Sequence, residues 1–400
     1  MRSTDLAAGQ DSADQVLHSI SQLAPSIASR AADSEAHRRV ADETIDELKS
    51  AGAFRVAAPR RHGGLETSLR GMLDTSAAIA EADGGASWVV TLSNIVCWSV
   101  CSMFSREAID EVFAAGPDVV QCGVVAATGE AHRVPGGYRV SGRWAYASAS
   151  LHATWAACGV VVVDDSDQPV DQMMMLFPHT DFRVEDTWFV AGMRSSGSNT
   201  VVVDDVFVPE HRATHMGPAM EGGNVPAHPE SALYRCTIGP MLVLVVMGPQ
   251  LGLGRAALRI ATTKAASKSL NYTTIARQAD SVPFQLLVAE AAAQIDTAHL
   301  HTYRAADDVD RYASDAVMPD LLTRARIRAD SAVTLRSING AINTLLNAAG
   351  ASSFAEANPL QRIWRDSNVG ARHAVVLPQV SMETYGKALL GATDHITDII

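Results

Sequence analysis

The sequence predicts an α+β protein with helices at both ends and an antiparallel β domain between them. Three observations predict it. Apolar residues recur at helical spacing through the first 118 positions. From Val119 to about Val208 the period shortens to two and β-branched residues dominate. After Pro218 the helical period returns in long Ala-rich segments.

The elements follow in order. Ser12-Ala-Asp-Gln15 reads as a capping box, with Val16, Ile20, Leu23 and Ile27 at helical spacing behind it. A second helix is expected from about Ala36 to Ser50, stopping near Gly52. The loop Val56 to Glu66 carries Pro59, Gly63 and Gly64. Two further helical stretches are broken at Asp83-Gly84-Gly85, and a short one near Ser105 to Ala115 ends before Gly116-Pro117. In the β region, Pro135-Gly136-Gly137 is a hairpin turn. Val160 to Val163, Met173 to Phe177 and Thr200 to Val203 are further strands. They are short, with no helices between them, which predicts an antiparallel sandwich or barrel. Beyond a loop rich in Gly, Pro and His (Gly222 to Pro229), helices are expected over about 234–267, 282–312, 320–349 and 375–391. The domains are therefore read as 1–118, helical; 119–218, β; and 219–400, a four-helix bundle.

Composition narrows the function. The chain has 400 residues, 47% of them hydrophobic and 19% charged, which excludes a disordered protein and permits a large core. The net charge of −12, without a dense basic run, argues against nucleic acid or an anionic membrane as partner. Five scattered cysteines suit reduced thiols in a cytoplasm. Cys97 and Cys101 lie four apart, but no nearby His or Cys completes a metal site. The N-terminus has no apolar signal core, and the apolar run Met241 to Met247 is too short to span a bilayer of roughly 20 residues. A cytoplasmic protein is expected.

Several motifs suggest chemistry. Gly252-Leu-Gly254-Arg-Ala-Ala257 looks like a dinucleotide fingerprint, yet no strand opens it and no acidic residue follows at the required offset. Close helix packing explains it better. His299-x-His301 is a poor zinc pair, because positions two apart on a helix face different sides. Ser195-Ser196-Gly197-Ser198 does not match a nucleophile elbow. As a turn of small donors it offers hydroxyls and N–H groups to a phosphate or a flavin edge. Trp144-Ala-Tyr146-Ala-Ser148 places aromatics beside small residues, either as a platform for a planar cofactor or as an ordinary strand.

Taken together, Gly142-Arg-Trp144, Gly192-Met-Arg194-Ser-Ser-Gly197-Ser198-Asn199, Val203-Asp-Asp-Val-Phe-Val-Pro209 and Trp364-Arg365-Asp366 resemble the signature stretches of the acyl-CoA dehydrogenase fold. The resemblance covers almost the whole chain. It implies a flavin held between the β domain and the C-terminal bundle, and a homotetramer. Two departures point away from the dehydrogenases. The entry to the β domain reads Gly123-Val-Val-Ala-Ala-Thr-Gly129, without the acyl-CoA-contacting stretch. Where a catalytic Tyr-Glu pair would follow the Arg-Asp pair, the chain has His373 and Ala374, and alanine is no base. Asn358 to Asp366, followed by His373, is similar to the two-component flavin-dependent monooxygenases built on this fold. In these, a separate NAD(P)H:flavin reductase supplies reduced FMN or FAD, and the oxygenase uses O2 through a C4a-hydroperoxyflavin.

That resemblance implies roles. His373 and Ser148 are the catalytic candidates, Ser148 beside the flavin. Trp144, Tyr146, Arg194, Ser196, Ser198, Trp188 and Arg365 are candidates for cofactor binding, with Phe189 flanking the ring. Trp88, Trp98, Val96 and Tyr385 are candidates for the substrate pocket. Phenol hydroxylases of this type often have a histidine where this chain has Val96 and Cys97. That apolar wall implies a substrate not gripped there as a phenolate. The alternatives are an FAD-dependent desaturase using another base, and a catalytically idle flavin-binding relative.

Overall fold

The computed structural model describes residues 2–217, 230–392 and 394–400, with side chains from Ala13 onward. The expected loop Gly222 to Pro229 and the boundary at 218/219 lie outside the described residues.

Five helices precede the sheet: α1 (Arg2–His37), α2 (Asp42–Ser50), α3 (Leu69–Ala80), α4 (Gly84–Met103) and α5 (Arg106–Val112). Two expectations change here. The first helix does not start at Ser12 but passes through it, and the predicted break at Ala36 falls two residues later, at Arg38. Arg38 has φ 54°, a left-handed conformation that ends a helix, and nothing in its residue type signals it. The predicted break at Asp83 is present: its side chain accepts from Gly85 N and Ala86 N and caps α4.

Seven strands follow: β1 (Gln121–Val134), β2 (Gly137–Ala147), β3 (Trp155–Val163), β4 (Pro169–Pro178), β5 (Arg183–Glu185), β6 (Asn199–Pro209) and β7 (Ala213–His215). They form one sheet in the order β5-β6-β2-β1-β3-β4-β7. The pairings are antiparallel except β1 with β3, which run parallel. The expectation of a wholly antiparallel domain is corrected at this pair. β2 returns beside β1 through the predicted hairpin, so the next strand takes β1's free edge in β1's own direction.

Among the described residues, six helices of the C-terminal part follow from Ile238: α6 (Ile238–Val245), α7 (Met247–Ala265), α8 (Val282–Ser314), α9 (Leu321–Ala349), α10 (Pro359–Gly370) and α11 (Pro378–Leu389). The single helix expected over 234–267 is two, meeting at Val246. α10, absent from the periodicity reading, starts at Pro359 behind a cap in which Asn358 accepts from Leu360 N. Gly252 and Gly254 lie inside α7, where Gly252 packs on Ala77 of α3, so they form no phosphate loop. His299 meets Arg255 while His301 meets Asp330.

Two apolar cores result. The larger one runs continuously from α1–α4 into the C-terminal helices and includes the inner face of the sheet, at Ala157, Met174 and Leu176. The smaller fills the other face, with Trp144, Cys158, Met175, Phe177 and Val201. The helical stretches 84–103 and 238–265 are long and apolar enough to cross a membrane, yet most of each, 83% over its most apolar part, is buried inside the protein. The functional residues gather where the larger core meets the end of β2.

Candidate active site at the junction of sheet and helices

Along β2 the ladder to β6 slips register twice, between Val140 and Gly142 and again between Trp144 and Ala147. The second bulge re-aims the strand. Trp144 stays in the smaller core, where its Nε1 donates to Gly159 O at 2.7 Å. Tyr146, with φ 66°, turns outward and is 73% exposed. Ser148 turns inward to be buried. Trp144 is therefore a core residue, and the structure corrects its assignment to the cofactor.

Ser148 Oγ and Ser198 Oγ lie 2.8 Å apart, and Ser198 Oγ is 2.7 Å from Ser196 Oγ. Trp88 Nε1, from α4, donates to Ser148 Oγ at 3.1 Å. Three hydroxyls and one indole N–H thus form a closed, buried chain. His373 stands beside the Trp88 ring, with ring centroids 5.8 Å apart. His373 follows α10 directly, and its Nδ1 is buried without a hydrogen-bond partner. Burial lowers its pKa below the ordinary histidine value, so the ring is neutral at pH 7.

The loop carrying the serines is held under strain. Met193 (φ 53°), Ala149 (φ 68°) and Gly197 (φ 54°) are all left-handed. Asp366 Oδ1 accepts from Met193 N at 2.6 Å, and Met193 O accepts from Trp188 Nε1 at 2.9 Å. Asn199 Oδ1 accepts from the N–H groups of Thr187 and Trp188. Two glycines permit the close approach. A Cβ on Gly85 would lie 1.9 Å from Ser195 Oγ, and one on Gly192 would lie 2.2 Å from Arg365 O. The serine loop, α4 and α10 are therefore locked together almost backbone to backbone. Asp366 is buried and its pKa is pushed up to about 7, first by desolvation and then by the charge of the buried Asp83.

The remaining candidates divide. Trp188 meets Tyr146 edge-on at 5.9 Å, and Phe189 is 70% exposed under the Arg38 guanidinium. Arg194 donates to Val190 O and Glu35 O. Arg365 pairs with Glu35 and donates to Ala191 O at 2.6 Å. These arginines brace the loop with donors already engaged. Val96 touches the position of Gly123 on β1. Trp98 is fully buried and donates to Leu233 O at 2.8 Å, which makes it a core residue; its assignment to the substrate pocket is corrected. Tyr385 is half-buried on α11 and shares no hydrogen bond or ring contact with the serine cluster.

Sequence reasoning missed Asp366, Asn199, Asp83 and Glu35 as the parts that hold this loop. The run Ser198-Asn199 hinted at one of them, because Asn commonly serves backbone N–H groups. The left-handed Met193 left no signal.

Comparison with known proteins agrees with this build. Residues 244–378 match the acyl-CoA dehydrogenase C-terminal domain family. The structure of XiaF from Streptomyces sp., in complex with FADH2 and glycerol, superposes with a TM-score of 0.91 at 35% identity, covering 98% of both chains. The flavin-dependent monooxygenase oxygenase subunit HsaA of Rhodococcus jostii is 32% identical over 92% of this chain and 96% of its own. The oxygenase component of p-hydroxyphenylacetate 3-hydroxylase from Acinetobacter baumannii is 28% identical over 94% of this chain and 89% of its own. The fold and site define a flavin-dependent oxidoreductase of acyl-CoA dehydrogenase architecture. Within that class, the chain belongs to the oxygenase components of the flavin-dependent monooxygenases.

Proposed function

We propose that this oxygenase takes reduced FMN or FAD from a separate NAD(P)H:flavin reductase and inserts one oxygen atom into an aromatic or polycyclic substrate. The observation that supports this most is His373: a neutral imidazole with an unpartnered, buried Nδ1, placed beside the Trp88 ring whose N–H holds the chain of serine hydroxyls. The residues present fit a flavin. Ser148, Ser196 and Ser198 offer hydroxyls to a polar ring edge, and Trp188 and Tyr146 offer aromatic edges beside it. When bound, the reduced flavin supplies two electrons to O2, so that one oxygen atom enters the substrate and the other leaves as water.

The chain's own groups do the rest. Trp88 donates to Ser148 Oγ and so restricts how that hydroxyl would meet a bound flavin. The apolar surroundings of Trp88 and Val96 exclude water from a reaction that water would divert to peroxide. His373 accepts the proton of the substrate hydroxyl at its free nitrogen and returns it later, as a neutral imidazole can near pH 7. Ala374 offers no carboxylate, which disfavours a desaturase.

The same reading extends to assembly and location. The three domains fall at 1–118, 119–218 and 219–400. The exposed Tyr146 and Phe189 beside the site suit a face covered by flavin and a neighbouring subunit of a homotetramer. The reductase contact is transient, and the enzyme works in the cytoplasm.

The test is oxygen uptake with a generic flavin reductase, NADH and a panel of indole, resorcinol and p-hydroxyphenylacetate. Substrate-dependent product and nearly colourless purified protein are expected. Yellow protein bleached by substrate without oxygen would instead identify a desaturase, and flavin binding without turnover an idle relative.

A further inference from the structure

A second buried polar group in this region has no partner. Gln121 opens β1 and is 1% exposed, yet neither its Oε1 nor its Nε2 makes a hydrogen bond. A primary amide has two donors and an acceptor, so leaving it dry is costly. Buried amides are normally satisfied, and an exception calls for water or a ligand.

Its direction is fixed by the strand. Cys122 points into the smaller core, while the Cβ position of Gly123 lies 2.9 Å from Val96 of α4. Alternation therefore turns Gln121 to the same side as Gly123, toward α4. Ser93 Oγ of α4 accepts from Gln121 N at 2.9 Å, which sets the level of contact. Ser93 is five residues beyond Trp88, about 7.5 Å of helix rise. Trp88, Leu92 and Val96 recur every four residues and form one apolar stripe along this side of α4. Two orphaned polar groups thus stand along the same stripe: the His373 imidazole at Trp88, and the Gln121 amide at the level of Ser93 to Val96. Their spacing along the helix matches the length of one or two fused aromatic rings.

We infer that Gln121 is a specificity-determining residue of the oxygenase: its amide hydrogen-bonds a neutral oxygen substituent, hydroxyl or carbonyl, at the end of an aromatic substrate remote from His373. The inference rests on the oxygenase reading for the identity of the site. The amide replaces an ionic grip. It donates to a carbonyl and accepts from a hydroxyl, and it offers no positive charge to a phenolate. A substrate bound this way remains protonated at its remote oxygen, while His373 acts at the reacting end.

The experiment is anaerobic equilibrium dialysis of the full chain with reduced FMN, against matched pairs: 2-naphthol with naphthalene, and 4-hydroxyindole with indole. The wild type is expected to prefer at least one hydroxylated member by about tenfold, the value of a well-made neutral hydrogen bond to a buried partner. Gln121→Leu is expected to abolish that preference, bind the unsubstituted member as well as or better than the wild type, and keep or raise Tm. Gln121→Met serves as a second apolar replacement should Leu disturb the strand. Equal ratios in wild type and variants, no preference in either wild-type pair, or no binding of any member would overturn the inference. A lower Tm in both variants with no change in the ratio would assign the amide to an internal water. The readout involves no oxygen transfer. Failure of the oxygenase reading alone would therefore leave the binding ratio intact while abolishing turnover.

Discussion

The two walls of the site are built on opposite rules. The wall around the serine loop is polar and internally hydrogen-bonded, with hydroxyl capacity left over. Ser148, Ser196 and Ser198 satisfy one another, Trp88 closes the chain, and Asn199 and Asp366 serve the backbone of the loop. The surface along α4 is apolar, and the two polar groups beside it, His373 Nδ1 after α10 and the Gln121 amide at the start of β1, are left without partners. A connected network of this kind holds a shape. An unpaired buried group pays a desolvation cost that only a ligand or water can return. On the proposed reading, the serine network positions, while the unpartnered His373 and Gln121 react and select.

Four substitutions break or sharpen that contrast. The largest effect is expected from His373→Ala. Product formed per reduced flavin should fall by about 100-fold or more, the usual loss on removing a general acid–base group, while peroxide release rises. Ser148→Ala comes next. It should lower coupling by about tenfold, as expected for one hydrogen bond lost from a preorganised site, and leave the Kd for substrate unchanged. Near-normal coupling in that variant would mean that the serine chain serves structure alone.

The third is a pH effect. Asp366 has its pKa raised to about 7, from an ordinary carboxyl value near about 4. Within that window the folded chain holds a proton that the unfolded chain has released. Asp366 therefore favours folding most below about pH 4, and that contribution is lost as pH rises toward 7. Asp366→Asn keeps an oxygen for Met193 N without the ionisation. Its Tm relative to wild type should be higher at pH 8 than at pH 5.5. His373 works in the opposite sense. Its lowered pKa makes the unfolded chain the better proton acceptor, so stability falls as pH drops below about 6.5. An Asp366→Asn difference independent of pH would show that this carboxyl is not the group titrating.

The smallest effect is Trp144→Phe. It removes the bond to Gly159 O from the smaller core and should cost about 1 kcal/mol of stability, measured by denaturant unfolding, with turnover unchanged. A selective loss of flavin binding would restore Trp144 to the cofactor site.

Much of this was legible in the sequence, for physical reasons. Helical and strand periods are set by burial, so the order of helices, sheet and helices could be read directly. Ser148, Ser196, Ser198, Trp88 and His373 were singled out because they stand at the offsets of a resembling family, and the fold brings them together in one region; their roles are the proposal. The two tryptophans assigned too eagerly, Trp144 and Trp98, failed for one reason. An indole at the right position says nothing about which face of its element it takes, and a bulge three residues on turned the strand. The long-range braces were hidden because their partners are distant in sequence: Asp366 serves Met193 N, 173 positions away, and Glu35 pairs with Arg365, 330 positions away. Parallel pairing of β1 with β3 was likewise invisible, since alternation is the same for both directions.

The central claim is that His373, and no carboxylate, moves the proton in an oxygen-transfer reaction. The most direct measurement is a single turnover of reduced flavin with 18O2 and the best substrate from the panel, in wild type and His373→Ala. The account predicts one labelled oxygen atom per product molecule in the wild type. It also predicts at least about 100-fold less labelled product in the variant, with the reducing equivalents recovered as peroxide. Labelled product from His373→Ala at the wild-type rate, or wild-type product without label, would contradict it.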